Sequence, residues 1–388
     1  MTSKKRVLFI SPQPFFEWRG SPIRVKFNLM ALEKLGYELD FLTLPIGKDE
    51  PAIHSRVIRA WNLFGSDSIA IGPSLLKLWF DLILMIQAIG LVLRNRYDVL
   101  HGTEETGFLC YLLSFICRAR CVYEKHSDSA SYTGAGIKKL ILGIYNGVEK
   151  LTIKRADMVI CTGPGLEQQA RESSPNGNIV CIPDIPSSLV EPTVEQIRDT
   201  RRLLENDEGR ILATYVGSFA EYQGVDIIFE AIPAVIAKNP NIKFVIIGGN
   251  DAEITKYRKL LDAKGAKNNV VFVGMIDPDI LPSYLAASDI LLAPRKTGIN
   301  SPLKILDYFK AGAAIVATDT VANQRLLNSK NSVLCEFSAS AFAGAICKLG
   351  SDHALRAALS SNANRLYKST YNFEQFRNQL ERAYQSIA

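Results

Sequence analysis

The chain has 388 residues, 47% hydrophobic and 22% charged, which is ordinary globular material long enough for two domains with separate cores. Its net charge of +6 is modest and spread along the sequence, suiting an acidic ligand or an anionic membrane surface and falling short of a nucleic-acid footprint. Seven cysteines without a CxxC pair and only four histidines fit core thiols in a reducing compartment better than disulfides or a zinc site.

Lys4-Lys5-Arg6 followed by Val7-Leu8-Phe9-Ile10 is too short in its apolar part for a signal peptide and reads as a first buried strand, so a cytoplasmic location is expected. From there, short apolar strands alternate with amphipathic helices. Strands are expected at 7–11, 39–44, 99–101, 121–125 and 158–162, then at 211–216, 243–247, 270–273, 290–293, 314–317 and 333–336. That alternation is the pattern of parallel sheets covered on both faces, hence two doubly wound, Rossmann-like α/β domains. The proline-rich stretch 182–192 reads as the linker, dividing the chain into domains 1–188 and 189–370. Segment 75–93 has the length of a membrane span, but Lys77, Asp81 and Gln87 interrupt it, and a buried helix of the first domain is expected. Segment 137–155 reads as a core-facing amphipathic helix, with peripheral contact to an anionic bilayer as the second reading.

The most informative stretch runs from Pro294 through Arg295, Lys296 and Ser301 to Tyr308, where a basic, Gly- and Pro-bearing loop enters a helix. Ser301 is placed to cap that helix and Pro302 to start it, so the first N–H groups, with Leu303 among the leading residues, face whatever anion stands in front. Asp307 is too far along to cap the same end and is suited to hydroxyls further along a bound nucleotide.

The segment from Pro302 to Asp319 resembles the carboxy-terminal signature of the GT-B glycosyltransferases of family 4, with Asp307 matching the second acid, Gly312 the glycine, and Asn300 replacing the first acid. Further segments resemble the family in order. Gly20, in the loop from Pro14 to Arg24, stands for its glycine loop; His126 for its histidine after a strand; Gly217, Ser218 and Gln223 for the stretch that usually carries two diphosphate cations; and Gly274 for the glycine near the base. The resemblance implies two Rossmann-like domains facing across a cleft, with the last helix, 371–388, packing back on the first. It implies a retaining, metal-independent transfer of a sugar from a nucleotide diphosphate donor, a UDP- or GDP-sugar, to a glycan or lipid-linked acceptor, with no resident cofactor. Asp307 is then expected to hold the ribose, Asn300 to touch the donor sugar, His126 to position that sugar, and Gly20 to let the backbone approach the donor phosphate or the acceptor. Ser218 and Gln223 replace the two cations with neutral groups. Arg295 and Lys304 are therefore expected to supply the charge, Arg295 as the bidentate partner. Arg19, Arg24, Glu104 and Glu105 are candidates for the acceptor side. Asp277-Pro278-Asp279 spells DxD, but its place at a helix start makes capping a sufficient explanation. A nucleotide-sugar epimerase and a catalytically degenerate nucleotide-sugar-binding protein are the rival readings.

Overall fold

The computed structural model describes residues 4–63, 65–67, 75–127, 137–204, 209–298 and 302–387. They form two compact units, one comprising Met1–Asp184 with Phe373–Ala388 and the other Ile185–Asn372. The division falls inside the proline-rich stretch, four residues before the boundary expected from sequence.

Unit 1 is built on β1 (Arg6–Ser11), β2 (Glu38–Thr43), β3 (Arg56–Arg59), β4 (Val99–Thr103), β5 (Arg120–Lys125), β6 (Met158–Cys161) and β7 (Ile179–Cys181). All are parallel, in the order β3-β2-β1-β4-β5-β6-β7. The apolar run 7–10 of β1 and all of β4 are buried, as a sheet covered on both faces requires. Two edge strands, β3 and β7, lie outside the expected set. Arg56-Val57-Ile58-Arg59 is flanked by charges and β7 has only three residues, so neither carries the apolar run that marks a central strand.

The helix Phe373–Gln385 belongs to unit 1, where it packs on the helix Gly20–Lys34. Its buried residues Phe376, Leu380, Ala383 and Tyr384 recur at helical spacing, and the Arg24 guanidinium lies 4.5 Å from the Phe376 ring centre.

The helix Leu75–Arg94 departs from expectation. Phe80, Leu84, Ala88 and Val92 enter the core, but Leu78, Leu82, Met85, Ile86 and Leu93 are exposed. A segment with apolar residues on most of its circumference does not reveal from sequence which of its faces will be covered.

Unit 2 carries β8 (Ile211–Val216), β9 (Ile242–Ile247), β10 (Val270–Gly274), β11 (Ile290–Ala293), β12 (Ala314–Thr318) and β13 (Val333–Cys335). These too are parallel, in the order β10-β9-β8-β11-β12-β13. The chain winds outward from β8 to β10, then returns to place β11 on the other side of β8. The carboxyl ends of β8 and β11 therefore flank a topological switch point, where parting loops leave a crevice for a ligand. The helix Leu303–Ala311 starts one residue later than expected, with Pro302 at the cap and no side-chain cap bond. Asn300 and Ser301 lie outside the described residues.

Candidate functional site

At the unit 2 switch point, β8 runs into Gly217 and Ser218, and β11 runs into Pro294 and Arg295. Gly217 has φ +144°, and a Cβ there would stand 2.7 Å from Lys304 Nζ and 3.1 Å from Tyr215 Oη. Only glycine suits both that backbone and that approach. Just beyond, the turn Glu221–Gln223 ends at Gly224, φ +66°, where a Cβ would meet the Pro294 carbonyl at 2.0 Å. The turn is thus pressed against the chain leaving β11, and Lys296 N–H donates to Tyr222 O at 3.0 Å.

This packing brings Gln223 to the start of the helix Leu303–Ala311. Lys304 Nζ donates to Gln223 Oε1 at 3.0 Å and lies 4.5 Å from the centre of the Tyr215 ring. Arg295 lies over Tyr222 at 5.5 Å and donates from Nε to Thr297 O at 2.9 Å. Burial, then repulsion from Arg295, pushes the Lys304 ammonium down to about 7. Burial also lowers Arg295. Among the described residues, neither has a carboxylate ion-pair partner. Two desolvated cations held together are an arrangement that an anion stabilises, and a diphosphate supplies the required charge. Lys296 is committed elsewhere, paired with the exposed Glu221 at 2.8 Å.

Gly274 ends β10 with φ +77°, and its carbonyl accepts from Gly248 N–H at 2.7 Å. Asp307 accepts from Ser187 N–H at 2.6 Å and from Ser187 Oγ at 2.9 Å, so one of its oxygens is occupied by the segment that begins the unit. Burial pushes Asp307 up to about 6, against the two Ser187 bonds. It borders a recess of 210 Å³ lined also by Glu191, Leu281, Leu285 and Lys310. In the DxD stretch, Asp277 Oδ1 accepts from Asp279 N–H at 2.9 Å, a local turn contact.

Unit 1 gathers a second cluster at the end of β5. Glu124 is fully buried and binds Arg24 Nε at 2.8 Å and Asn28 Nδ2 at 2.6 Å, with His126 Nε2 at 3.2 Å and His101 Nε2 at 3.3 Å. His101 Nδ1 in turn shares a 2.7 Å hydrogen bond with Tyr384 Oη of the last helix. Burial alone would raise Glu124, but Arg24 and His126 hold it well below the carboxylate range. Burial would likewise lower His126, and the Glu124 carboxylate reverses this, leaving it raised. At His101 burial prevails and the ring is lowered.

This cluster corrects the acceptor-side assignments. Arg24 is 3% exposed and committed to Glu124 and to the Pro183 carbonyl at 3.0 Å, so it is a structural cation. Glu105 is ion-paired with Lys77. Arg19 pairs with Glu17 at 2.9 Å and stays partly exposed. Glu104, in the left-handed region at φ 51°, is raised by burial and lies close enough for His126 to oppose that rise. Gly20 opens its helix with open space where a Cβ would stand, so nothing in its local packing demands glycine. Sequence reasoning missed Glu124, His101 and Tyr384. Glu124 stands two residues before His126, but only the pairing of β4 with β5 brings His101 beside it.

Two family models match the chain: "Glycosyltransferase Family 4" over residues 25–184 and "Glycosyl transferases group 1" over residues 210–352. A curated relative, the alpha-D-kanosaminyltransferase of Streptomyces kanamyceticus, is 25% identical over 293 residues, 74% of this chain and 75% of that one. Among solved structures, the sucrose-phosphate synthase of Thermosynechococcus elongatus superposes with a TM-score of 0.75 at 20% identity, covering 99% of both chains. Anabaena HepE in complex with UDP superposes with a TM-score of 0.74 at 16% identity, covering 98% of this chain and 100% of that one. Each unit is a parallel-sheet α/β domain of the kind that makes up the GT-B fold. The chain belongs to the family 4, group 1 glycosyltransferases.

Proposed function

We propose that this glycosyltransferase moves a sugar from a UDP- or GDP-sugar to a hydroxyl of a glycan or lipid-linked precursor, with retention of configuration and without a metal. The reading rests on one observation above the rest: Arg295 and Lys304 stand together at the unit 2 switch point, and among the described residues neither has a carboxylate ion-pair partner. The HepE complex with UDP supports a nucleoside diphosphate as the ligand of such a site.

On this reading the departing diphosphate gains negative charge as the glycosidic bond breaks. Arg295 and Lys304 bind it more strongly as that charge grows, which lowers the barrier rather than only tightening the ground state. The acceptor attacks from the face the diphosphate leaves, and a phosphate oxygen takes its proton, so no protein base is required. His126 positions the donor sugar, Asp307 holds the ribose through its second oxygen, and Gly217, Ser218, Gln223, Leu303 and Gly274 line the donor. Glu104 and Arg19 are left for the acceptor side. A lipid-linked acceptor would place the reaction in polysaccharide biosynthesis at the cytoplasmic face of a membrane.

The test is a thermal-shift panel of nucleoside diphosphates and their sugars, followed by an assay for nucleotide release with and without acceptor. Stabilisation by one base family, lost in Arg295→Ala, and acceptor-dependent release support transfer. Turnover without acceptor and without release would assign an epimerase, and binding with neither would assign a degenerate binding protein.

A further inference from the structure

The helix Leu75–Arg94 holds a window of mean hydropathy 1.9 of which only 28% is buried. Its outer face carries Leu82, Ile86 and Leu93, and the neighbouring helix Thr106–Cys117 adds Leu112, Phe115 and Ile116, all exposed, with Leu93 and Phe115 each at 67%. Two packed helices of unit 1 thus both expose apolar side chains, which meet at Leu93 and Ile116, and exposed apolar patches mark interaction sites.

What the surface adjoins indicates its occupant. Leu93 and Ile116 border a recess of 800 Å³ at the amino-terminal edge of the unit 1 sheet, away from the strand ends that carry His126. Lys5, Arg94, Arg96 and Arg118 line the same recess, and among the described residues none of the four side chains has an ion-pair partner. Arg94 and Arg118 close helices, where a cation offsets the dipole, but Lys5 and Arg96 have no such role. Arg118 also holds a left-handed conformation, φ 56°, that glycine adopts at lower cost. Apolar side chains edged by unpaired cations match a lipid bilayer whose acyl boundary accepts the former and whose phosphates accept the latter.

We propose that this face docks on an anionic lipid bilayer, the exposed leucines, Ile86, Ile116 and Phe115 entering the interface and a headgroup phosphate occupying the arginine-lined recess. The inference uses nothing from the Lys304 region and stands apart from the transfer reading.

The experiment is co-sedimentation of the full chain with phosphatidylcholine vesicles and with vesicles of equal phosphatidylcholine and phosphatidylglycerol. Binding is expected only to the anionic vesicles and weakens with salt. Each arginine near the surface is worth about fivefold, so Arg94→Ser/Arg96→Ser/Arg118→Ser lowers binding about a hundredfold. Leu82→Ser/Ile86→Ser/Phe115→Ser lowers it at least about tenfold. Both variants alter exposed positions, and both are to keep the wild-type melting temperature and nucleotide affinity. Equal binding to both vesicle types, or wild-type binding by either variant, overturns the inference. So does light scattering that shows a dimer dissociated by the apolar variant in a protein that ignores vesicles, which assigns the face to a second copy. Nucleotide binding without vesicle binding refutes this inference alone; vesicle binding without nucleotide binding refutes the transfer reading alone.

Discussion

Lys304 Nζ donates to Gln223 Oε1 at 3.0 Å across 81 residues of sequence, and this neutral amide stands where the resemblance read from sequence implies a cation. The substitution is consistent with the geometry: a second ammonium at 3 Å from a desolvated lysine would repel it by several kcal/mol at the effective dielectric of a partly buried site. Gln223 instead orients Lys304 and leaves its charge for a ligand.

Lys304 titrates near 7 in the free protein, so nucleoside diphosphate binding above that pH takes up a proton. Affinity is expected to fall by up to about tenfold per pH unit between pH 7.5 and 9, and the slope to vanish in Lys304→Met. Calorimetry in buffers of different ionisation enthalpy measures the uptake directly. The sign for stability is opposite to that of a raised lysine. The unfolded lysine titrates at about 10.4, so between about 7 and 10.4 the unfolded chain holds more protons and stability rises with pH. Lys304→Met removes that rise and stabilises the ligand-free protein at pH 7 by about 1 kcal/mol or more, read by denaturant titration.

Gly217→Ala combines a φ of +144° with a Cβ 2.7 Å from Lys304 Nζ. Loss of about 1–3 kcal/mol of stability is expected from the backbone, with weaker diphosphate binding because Lys304 must move. Gly20→Ala, which meets open space, is expected to leave stability within about 0.5 kcal/mol of wild type.

Glu124 is the carboxylate that buried Arg24 and His126 share. Glu124→Gln leaves Arg24 with only Asp184, 3.5 Å away, and removes the nearest counter-charge of His126, and is expected to cost about 3–5 kcal/mol. Its folded pKa is depressed, so the stability it contributes is present above the unfolded value of about 4.3 and is lost as pH falls below it. For His126 the readout is its own titration by NMR: raised in the wild type, and moved downward in Glu124→Gln, where only Glu104 still opposes burial.

The parallel sheets were legible because their central strands are apolar runs bounded by turns; β1, β5, β8 and β11 fall within a residue or so of the positions read from sequence. The edge strands β3 and β7 were not, since an edge needs only one covered side. Within the site, Arg295 and Lys304 were legible through their place beside a helix start. The fate of Arg24 was not. A cation after a first strand reads as ligand-facing, and only the three-dimensional return of β5 puts Glu124 beside it. Asp307 was legible as an acid too far along its helix to cap it, but its burial and its bond to Ser187 depend on a chain segment 120 residues away.

Asp307 is raised from 3.8 to about 6, so the native state holds more protons than the unfolded one between those values and stability falls as pH rises through that window. The cost persists at pH 7. Asp307→Asn retains an acceptor for Ser187 without the buried charge, and is expected to raise the melting temperature at pH 7 by about 2–4 °C. If its free oxygen holds the ribose, the same variant weakens nucleoside diphosphate binding about tenfold, and deoxyribose analogues lose that sensitivity.

The most direct measurement is a calorimetric titration of the wild-type protein, Arg295→Ala and Lys304→Met with UDP and GDP and with the matching monophosphates, at pH 6.5. The wild type is expected to prefer one diphosphate over its monophosphate by at least about tenfold, and each variant to lose about 1.5–3 kcal/mol against the diphosphate, more than against the monophosphate. Equal affinity for diphosphate in the wild type and in both folded variants would contradict the assignment of Arg295 and Lys304 as the diphosphate site.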